Sequence, residues 1–140
     1  VGDLMFAKAL EGSMSYQVTG PGQIIGDILF LPPESTRAEK LLDARSDIYS
    51  LGATLYALMT GRPPVAEGTM IDMIKGVREV IPIRPKEFQL SVDELFQDVV
   101  MKMLSKRPED RYSSSDDLLR ELHRIGTFNN LETDWSGWER

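Results

Sequence analysis

The feature that most constrains the fold is an almost uncharged run, Ser46 to Pro64, with the sequence SDIYSLGATLYALMTGRPP. Asp47 would offer a side-chain oxygen to the unpaired N–H groups of a helix start, and Gly61 followed by Pro63 would end the helix. The residues between Asp47 and Gly61 carry no charge, so no face of this helix is suited to water. The run is also shorter than the about 20 apolar residues that a bilayer requires. We therefore predict a helix inside a soluble helical core, surrounded by protein on most sides.

The composition argues against several classes of function. The formal net charge is −6 and the 16 basic residues are scattered, which argues against binding to nucleic acid or to an anionic membrane. The chain has no cysteine for a disulfide or a thiolate metal site, and its single histidine, His123, argues against a histidine-built site. This composition fits a cytoplasmic protein. Val1 to Leu10 lack both the pattern of a signal peptide and an initiator methionine, so we expect the chain to begin inside a domain.

The chain changes from an irregular first part to a helical second part. Lys8 to Pro33 is rich in glycine, serine, threonine and proline, and irregular segments of this length are typically functional or disordered. A short helix is expected from about Glu34 to Leu42, because Pro33 suits a first turn and an acid follows it. Another helix is predicted from about Thr69 to Glu79. Its apolar stripe would comprise Met70, Ile71, Ile74 and Val77.

Capping residues predict two more helices. Ser91 and Glu94 form a capping box before an apolar stripe of helical spacing. Ser114 with Asp117 opens the last helix, and Gly126 would close it. The lysines in or beside these amphipathic segments are expected to face solvent; they are Lys75, Lys86, Lys102 and Lys106.

We accordingly predict a mainly α chain with three parts. Residues 1–33 form the irregular segment, 34–126 form a helical unit, and 127–140 form a tail. The tail holds both tryptophans, Trp135 and Trp138, among polar residues without a clear period, so no element is assigned to it.

Three motifs in a fixed order connect the chain to a family. They are GDILFLPPE at Gly26–Glu34, the run Ser46–Pro64, and RPEDR at Arg107–Arg111. In this order and spacing they resemble the substrate-docking loop, the central helix and the late Asp-Pro-x-x-Arg motif of a eukaryotic-like serine/threonine protein kinase. The resemblance covers roughly Val1 to Ile125. It implies the helical C-terminal lobe of the protein-kinase-like fold, with a long irregular activation segment at its N-terminus.

The resemblance implies structural roles for Glu34, Arg111 and Asp47. Glu34 and Arg111 would form a buried ion pair that ties the activation segment to the helical core, a geometry suited to the planar fork of arginine. Asp47 would hold the backbone of the catalytic loop in addition to capping its helix. The residues alone leave two simpler alternatives open, a solvated surface acid for Glu34 and a plain cap for Asp47.

The resemblance also implies cofactor-binding and substrate-docking residues. The sequence DLMFAK at Asp3–Lys8 lies where such kinases carry Asp-Phe-Gly-Leu-Ala-Lys, so Asp3 would hold Mg²⁺ on the ATP phosphates. Met5 replaces the glycine and removes backbone freedom there. The implied docking residues are Gly26, Asp27, Phe30, Pro32 and Pro33. Asp27 stands where the family has a threonine; its carboxylate would perturb the catalytic base, or it is an ordinary surface acid.

The implied parent reaction is transfer of the ATP γ-phosphoryl group to a protein serine or threonine. The glycine-rich loop, the strand lysine and the His-Arg-Asp loop of the family would all precede Val1, so no catalytic residue is assigned to this chain. We expect ATP and Mg²⁺ in the complete parent kinase and no cofactor for the isolated chain, which is predicted to be inactive alone. Whether the chain is itself an enzyme stays open. Its expected partners are the missing N-terminal lobe and a protein substrate or partner protein.

A pseudokinase-like protein-interaction module is the alternative, motivated by Met5 and Asp27. In that case the docking face and the groove beside the Thr69–Glu79 helix would bind a partner protein. A helical scaffold unrelated to kinases is a third alternative, which requires all three motifs to be accidental.

Overall fold

The computed structural model describes residues 28–37 and 43–130. Within these ranges the chain forms four α-helices and three short 3₁₀ turns, and no strand. The helices are α1 (Ala44–Thr60), α2 (Met70–Glu79), α3 (Glu94–Met103) and α4 (Ser115–Phe128), and the turns are Pro33–Thr36, Pro85–Glu87 and Pro108–Asp110. The mainly α fold class is therefore confirmed. The predictions for the segment before Ile28 and for the tail with Trp135 and Trp138 lie outside the described residues.

Helix α1 is the predicted central helix, but its N-cap is Asp43. Asp43 has an extended backbone (φ −133°, ψ −170°) and its carboxylate accepts a hydrogen bond from the Arg45 N–H at 2.8 Å. Asp47 lies one turn further along, among residues that already have helical geometry, so the prediction that it caps the helix is wrong. The predicted stop is confirmed. Gly61 adopts a left-handed φ of 74° and its N–H donates to the carbonyl of Ala57.

The burial predicted for α1 is found along most of its length. The buried residues of the helix include Ile48, Tyr49, Ala53 and Tyr56, whereas Leu58 near the C-terminal end is 78% exposed. Gly52 marks the crossing with α3, because a Cβ atom added there would lie 2.7 Å from the Cβ of Met103. The two helices therefore approach more closely than any side chain at position 52 allows.

Helix α2 has the predicted bounds but a different buried face. Thr69 is its N-cap and accepts a hydrogen bond from the Asp72 N–H at 3.1 Å. Met73 and Val77 are buried, whereas Ile71 is 79% exposed, so the predicted inward stripe is wrong at its N-terminal end. The buried face is centred on Gly76, where an added Cβ would lie 2.5 Å from a methyl carbon of Val65. Glycine does not count as an apolar side chain, so the spacing of apolar residues did not include Gly76. The predicted buried stripe was therefore placed too close to the N-terminus of α2.

Helix α3 begins after Asp93, and Ser91 does not cap it. The Asp93 carboxylate accepts a hydrogen bond from the Phe96 N–H at 2.9 Å, so the predicted capping box of Ser91 and Glu94 is wrong. Asp93 has the extended backbone of an N-cap (φ −64°, ψ 130°), and Glu94 is already the first helical residue.

Helix α4 begins as predicted and ends later than predicted. Ser114 accepts a hydrogen bond from the Asp117 N–H at 3.1 Å. The helix passes through Gly126 and ends at Phe128, so the predicted stop at Gly126 is wrong. Gly126 is buried within the helix, and the positive φ of a helix end occurs at Asn130 instead (56°). Asparagine tolerates this conformation better than most other non-glycine residues.

The short helix predicted from about Glu34 to Leu42 is a 3₁₀ turn in its described part. The turn covers Pro33–Thr36, and Arg37 is extended (φ −107°, ψ 163°), which interrupts any helix at that point. Residues 38–42 lie outside the described ranges.

The core consists of three buried clusters, two of which include residues of α1. The first contains Ile48, Val99, Met103, Tyr112, Leu118 and Ile125, the second Ile28, Leu29, Val65, Met73 and Val77, and the third Tyr49, Ala53, Tyr56, Val100 and Leu104. Complete burial of a side chain such as Met103 stabilises a fold by about 1.5–3 kcal/mol. Because α1 contributes to the first and third clusters, it fixes α3 and α4 and, through its first turn, the Pro33–Thr36 turn.

Candidate functional site

The candidate site is centred on a buried ion pair between Glu34 and Arg111. Arg111 Nη1 lies 2.7 Å from Glu34 Oε2, and Arg111 Nη2 lies 2.9 Å from Glu34 Oε1. The side chain of Arg111 is fully buried and that of Glu34 is 6% exposed. The two parallel hydrogen bonds form the fork-to-carboxylate arrangement that only arginine can make. The structure thus brings together the two residues that the family resemblance paired.

Two 3₁₀ turns that begin with proline position the two side chains. Glu34 is the second residue of the Pro33–Thr36 turn, and Arg111 directly follows the Pro108–Asp110 turn. Proline sets φ near the value that the start of each turn requires, so both backbones enter their turns with little freedom. Pro33 is itself fully buried, which holds the first turn against the core.

Each remaining donor of Arg111 has an acceptor in the surrounding loops. Nε donates to the carbonyl of Ser105 at 2.8 Å, Nη1 to that of Arg45 at 3.0 Å, and Nη2 to that of Lys106 at 3.2 Å. Ser46 donates its hydroxyl to Glu34 Oε2 at 2.8 Å. The pair therefore joins the first turn of α1 and the loop after α3 to the Pro33–Thr36 turn. Removing two charges from water costs free energy. This cost is offset only when the hydrogen-bonding groups of the buried pair all have partners, as they do here.

The electrostatics of the pair favour the ionised state of Glu34. Burial by itself would raise the pKa of Glu34, but the hydrogen bonds and charge of Arg111, together with the Ser46 hydroxyl, outweigh it and hold the pKa below its ordinary value. The guanidinium carbon of Arg111 lies 4.9 Å from the centroid of the Tyr49 ring, on which it stacks. Burial raises the pKa of Tyr49 to about 12, so this ring stays neutral.

The segment before Glu34 is held by apolar contacts. Leu29 is 1% exposed and lies in the cluster with Met73 and Val77 of α2, and Phe30 packs against two of the three clusters. Of the predicted docking residues, Pro32 and Pro33 are buried and Phe30 is half-buried. Gly26 and Asp27 lie outside the described residues. The described part of this segment is therefore fixed by α1 and α2 and exposes little apolar surface of its own.

A contact between the turn and α2 was not foreseen from the sequence. Arg78 Nε donates to Thr36 Oγ1 at 2.8 Å, and the Arg78 guanidinium also bonds the carbonyl of Thr36. The Thr36 hydroxyl in turn donates to the carbonyl of Pro33 at 2.7 Å. The only signal in the sequence is an arginine in the last turn of a helix, a position that does not identify its partner.

Lys106 departs from the prediction that it faces solvent. The side chain is half-buried, and its Nζ donates to the carbonyls of Val77 at 2.8 Å and Gly76 at 3.4 Å. Burial, and after it the charge of Arg111, lower the pKa of Lys106 to about 8. The lysine follows α3 in a loop that folds back toward α2, which the helical periodicity of α3 does not reveal.

The structure does not test the predicted cofactor contact of Asp3 or the predicted catalytic-loop contact of Asp47. Asp47 lies half-buried in the first turn of α1, and Asp3 lies outside the described residues. Across residues 28–37 and 43–130, no three histidine, cysteine or acidic side chains group in a way that could hold a metal ion. No helix in these same ranges is long and apolar enough to cross a membrane.

Comparison with known proteins finds a matching family model and several similar bacterial proteins. Residues 1–122 match the family model described as "Protein kinase domain". The chain is 36% identical over 124 residues to "Serine/threonine-protein kinase PknB" of Mycobacterium leprae (strain TN), and these residues cover 88% of the chain and 19% of the relative. The PknB of Mycobacterium tuberculosis (strain ATCC 25618 / H37Rv) is 37% identical over 125 residues, with the same coverage. "Probable serine/threonine-protein kinase SCO3848" of Streptomyces coelicolor is 36% identical over 117 residues, or 83% of the chain and 17% of the relative. The chain thus spans less than a fifth of the length of these relatives.

Proposed function

The chain belongs to the protein kinase domain family, and on that premise we propose that it contributes to ATP-dependent transfer of a phosphoryl group to serine or threonine residues of a protein. The observation that carries this proposal is the buried Glu34–Arg111 pair, which fixes the Pro33–Thr36 turn to the helical core. Phosphoryl transfer depends almost entirely on positioning and on electrostatic stabilisation. A rigid anchor directly after a substrate-docking segment supplies part of that positioning.

The chain's own residues would act by holding and orienting a protein substrate. The predicted docking residues Phe30, Pro32 and Pro33 precede the anchored Glu34, so the pair sets where the docking segment meets the core. Ser46 fixes the orientation of the Glu34 carboxylate through Oε2. A substrate hydroxyl bound beside this segment would then be presented at a constant position.

Members of this family generally use ATP and Mg²⁺. When bound, Mg²⁺ neutralises charge on the ATP phosphates. Asp3 is the proposed ligand, from the resemblance of Asp3–Lys8 to the magnesium-binding motif of kinases, and the described residues include no alternative cluster of ligands. No motif within the 140 residues resembles a His-Arg-Asp loop, and for this reason we expect no activity from the chain alone.

The test uses the complete gene product that contains this chain. It should transfer radiolabelled γ-phosphate from ATP to serine or threonine of a protein substrate in a magnesium-dependent reaction, and Asp3→Ala should abolish the transfer. The 140-residue chain should transfer none. Transfer by the 140-residue chain itself would contradict the proposal that catalysis requires residues outside this chain.

A pseudokinase-like interaction module is the second candidate, favoured by Met5 and Asp27. Complete absence of phosphoryl transfer by the folded gene product, with retained binding of a partner protein, would select it. Restoration of transfer by Met5→Gly or Asp27→Thr would attribute the loss to these two positions. The absence of cysteine supports a cytoplasmic location for either form.

A further inference from the structure

Two cationic side chains tie the C-terminal end of α2 to the rest of the fold. Lys106, in the loop after α3, donates from Nζ to the carbonyls of Val77 at 2.8 Å and Gly76 at 3.4 Å. Arg78, in the last turn of α2, donates to the hydroxyl of Thr36 at 2.8 Å and also to its carbonyl. Val77 and Arg78 are consecutive residues, so both connections meet within one turn of the helix.

The ammonium of Lys106 acts as a side-chain cap for α2. An ammonium has three donors and no acceptor, so it can donate to both carbonyls while it keeps its charge. Carbonyls in the last turn of a helix lack intrahelical partners and carry the negative end of the helix dipole, which a cation stabilises. Arg78 is the basic residue of that turn, but its guanidinium is engaged by Thr36. The cap therefore comes from the loop after α3.

Both connections continue to the buried pair of Glu34 and Arg111. Arg111 Nη2 donates to the carbonyl of Lys106 at 3.2 Å, and the same nitrogen lies 2.9 Å from Glu34 Oε1. Thr36 lies two residues after Glu34 in the same 3₁₀ turn. The contacts thus form a closed ring, which starts at Arg111, passes through Lys106 and the end of α2, and returns through the turn to the ion pair.

The docking segment, residues 28–33, rests on α2 as well. Leu29 is 1% exposed and belongs to the buried cluster that contains Met73 and Val77 of α2. Helix α2 is therefore attached to the segment at Leu29 and to the turn that follows it at Thr36. Each member of a closed ring is held from two directions. A break at Lys106 consequently loosens the end of α2 and reaches both attachments.

We propose that Lys106 is a positioning residue for the docking segment and acts on it through α2. The inference rests on the proposed function, because it concerns how firmly the chain presents a protein substrate. The role requires no contact of Lys106 with the substrate or with ATP. Loss of its ammonium should therefore weaken binding of the protein substrate and leave the use of ATP unchanged.

The test compares Lys106→Met with the wild type in the complete gene product that contains this chain. Methionine keeps an unbranched side chain and removes the charge and the donors. We expect the KM for a protein substrate to rise about three- to tenfold, the range of couplings carried by packed and hydrogen-bonded networks, with kcat and the KM for ATP nearly unchanged. Lys106→Arg keeps a cation with donors and should restore most of the loss.

Lys75→Met is the matched control. Lys75 is exposed on α2 and forms no hydrogen bond or ion pair in the described part of the chain, so its loss should alter neither KM. A merely structural role of Lys106 would lower the folded fraction, and kcat would then fall without a change in KM. That result would overturn the proposal, and so would equal effects of Lys106→Met and Lys75→Met.

Hydrogen exchange in the same proteins gives a readout that does not require activity. The N–H of Ser35 donates to the carbonyl of Pro32 at 3.0 Å, and that of Arg37 to the carbonyl of Glu34 at 3.3 Å. Lys106→Met should accelerate exchange of both amides by about three- to tenfold, because the turn opens more often. Unchanged exchange would overturn the proposal. If the wild type transfers no phosphoryl group, the proposed function fails, and faster exchange in the variant then supports the positioning role by itself.

Discussion

Glu34 and Arg111 lie 77 residues apart in the chain, yet their side chains share two hydrogen bonds of 2.7 and 2.9 Å. The pair is enclosed by carbonyl groups of three further residues and by the hydroxyl of Ser46. No other feature of the described residues joins the Pro33–Thr36 turn, the start of α1 and the loop after α3 at one point. Its loss should therefore affect the whole fold.

Arg111→Ala should destabilise the chain by about 3–5 kcal/mol, because it leaves the buried Glu34 carboxylate without a countercharge. Urea denaturation measures the change. Arg107→Ala is the matched control, since Arg107 forms an ion pair with Glu109 in which both side chains are exposed. It should leave the urea midpoint almost unchanged. An equal loss in both variants would show that the burial of the Glu34 pair has no special energetic role.

The pair should also determine part of the response to acid. The pKa of Glu34 is lowered by folding, so its contribution to stability is present in full above the ordinary value of 4.5 and is lost as the pH falls through the folded-state value. Glu34→Gln does not titrate. The difference in urea midpoint between the wild type and Glu34→Gln should therefore shrink from about pH 6 to about pH 3. A constant difference over this range would contradict the assignment.

The sequence predicted the helices better than it predicted which residues contact one another across the fold. An uncharged run between an acidic residue and a glycine identified α1. Gly61 correctly marked the C-terminal end of α1, and Ser114 correctly marked the start of α4. Acidic residues are frequent near helix starts, and only backbone geometry distinguishes Asp43 and Asp93, which cap, from Asp47 and Glu94, which do not. Caps were therefore misplaced by a few residues while the helices themselves were found.

The long-range part of the site depended on family resemblance. No periodicity connects Glu34 to Arg111, and only the order of three motifs suggested that they meet. No motif or family resemblance predicted the contacts from Arg78 to Thr36 and from Lys106 to Val77. They arise from the way α2 packs on its neighbours, and that packing depends on Gly76, which carries no side chain to signal it.

Gly52→Ala should be destabilising by about 1–3 kcal/mol although alanine is the better helix former. The added Cβ would lie 2.7 Å from the Cβ of Met103, an atom fixed to the α3 backbone, so the two helices must separate. Gly68→Ala is the control, because its added Cβ would be 3.4 Å from that of the exposed Asp72. Thermal unfolding of both variants measures the difference. A stabilised Gly52→Ala chain would show that α1 and α3 do not cross at this point.

Asp43→Ala should cost about 1 kcal/mol through loss of the α1 cap. Asp43→Asn keeps an oxygen acceptor for the Arg45 N–H and removes only the charge, so it should retain most of the stability. Urea midpoints of the two variants separate the cap from the ion pair that Asp43 forms with Arg45. If both variants lose the same stability, the charge and not the cap hydrogen bond is the important contribution.

The contact between Thr36 and Arg78 should appear as a coupling energy. Thr36→Val removes the hydroxyl that accepts the hydrogen bond from Arg78 Nε at 2.8 Å, with little change in side-chain shape. In a double-mutant cycle with Arg78→Ala, measured by urea denaturation, we expect a coupling of about 0.5–1.5 kcal/mol. Ser35→Ala is the control at the neighbouring position and should show no coupling to Arg78. Equal coupling at positions 35 and 36 would indicate that Arg78 acts through general packing of α2. It would contradict a specific hydrogen bond between Arg78 and the Thr36 hydroxyl.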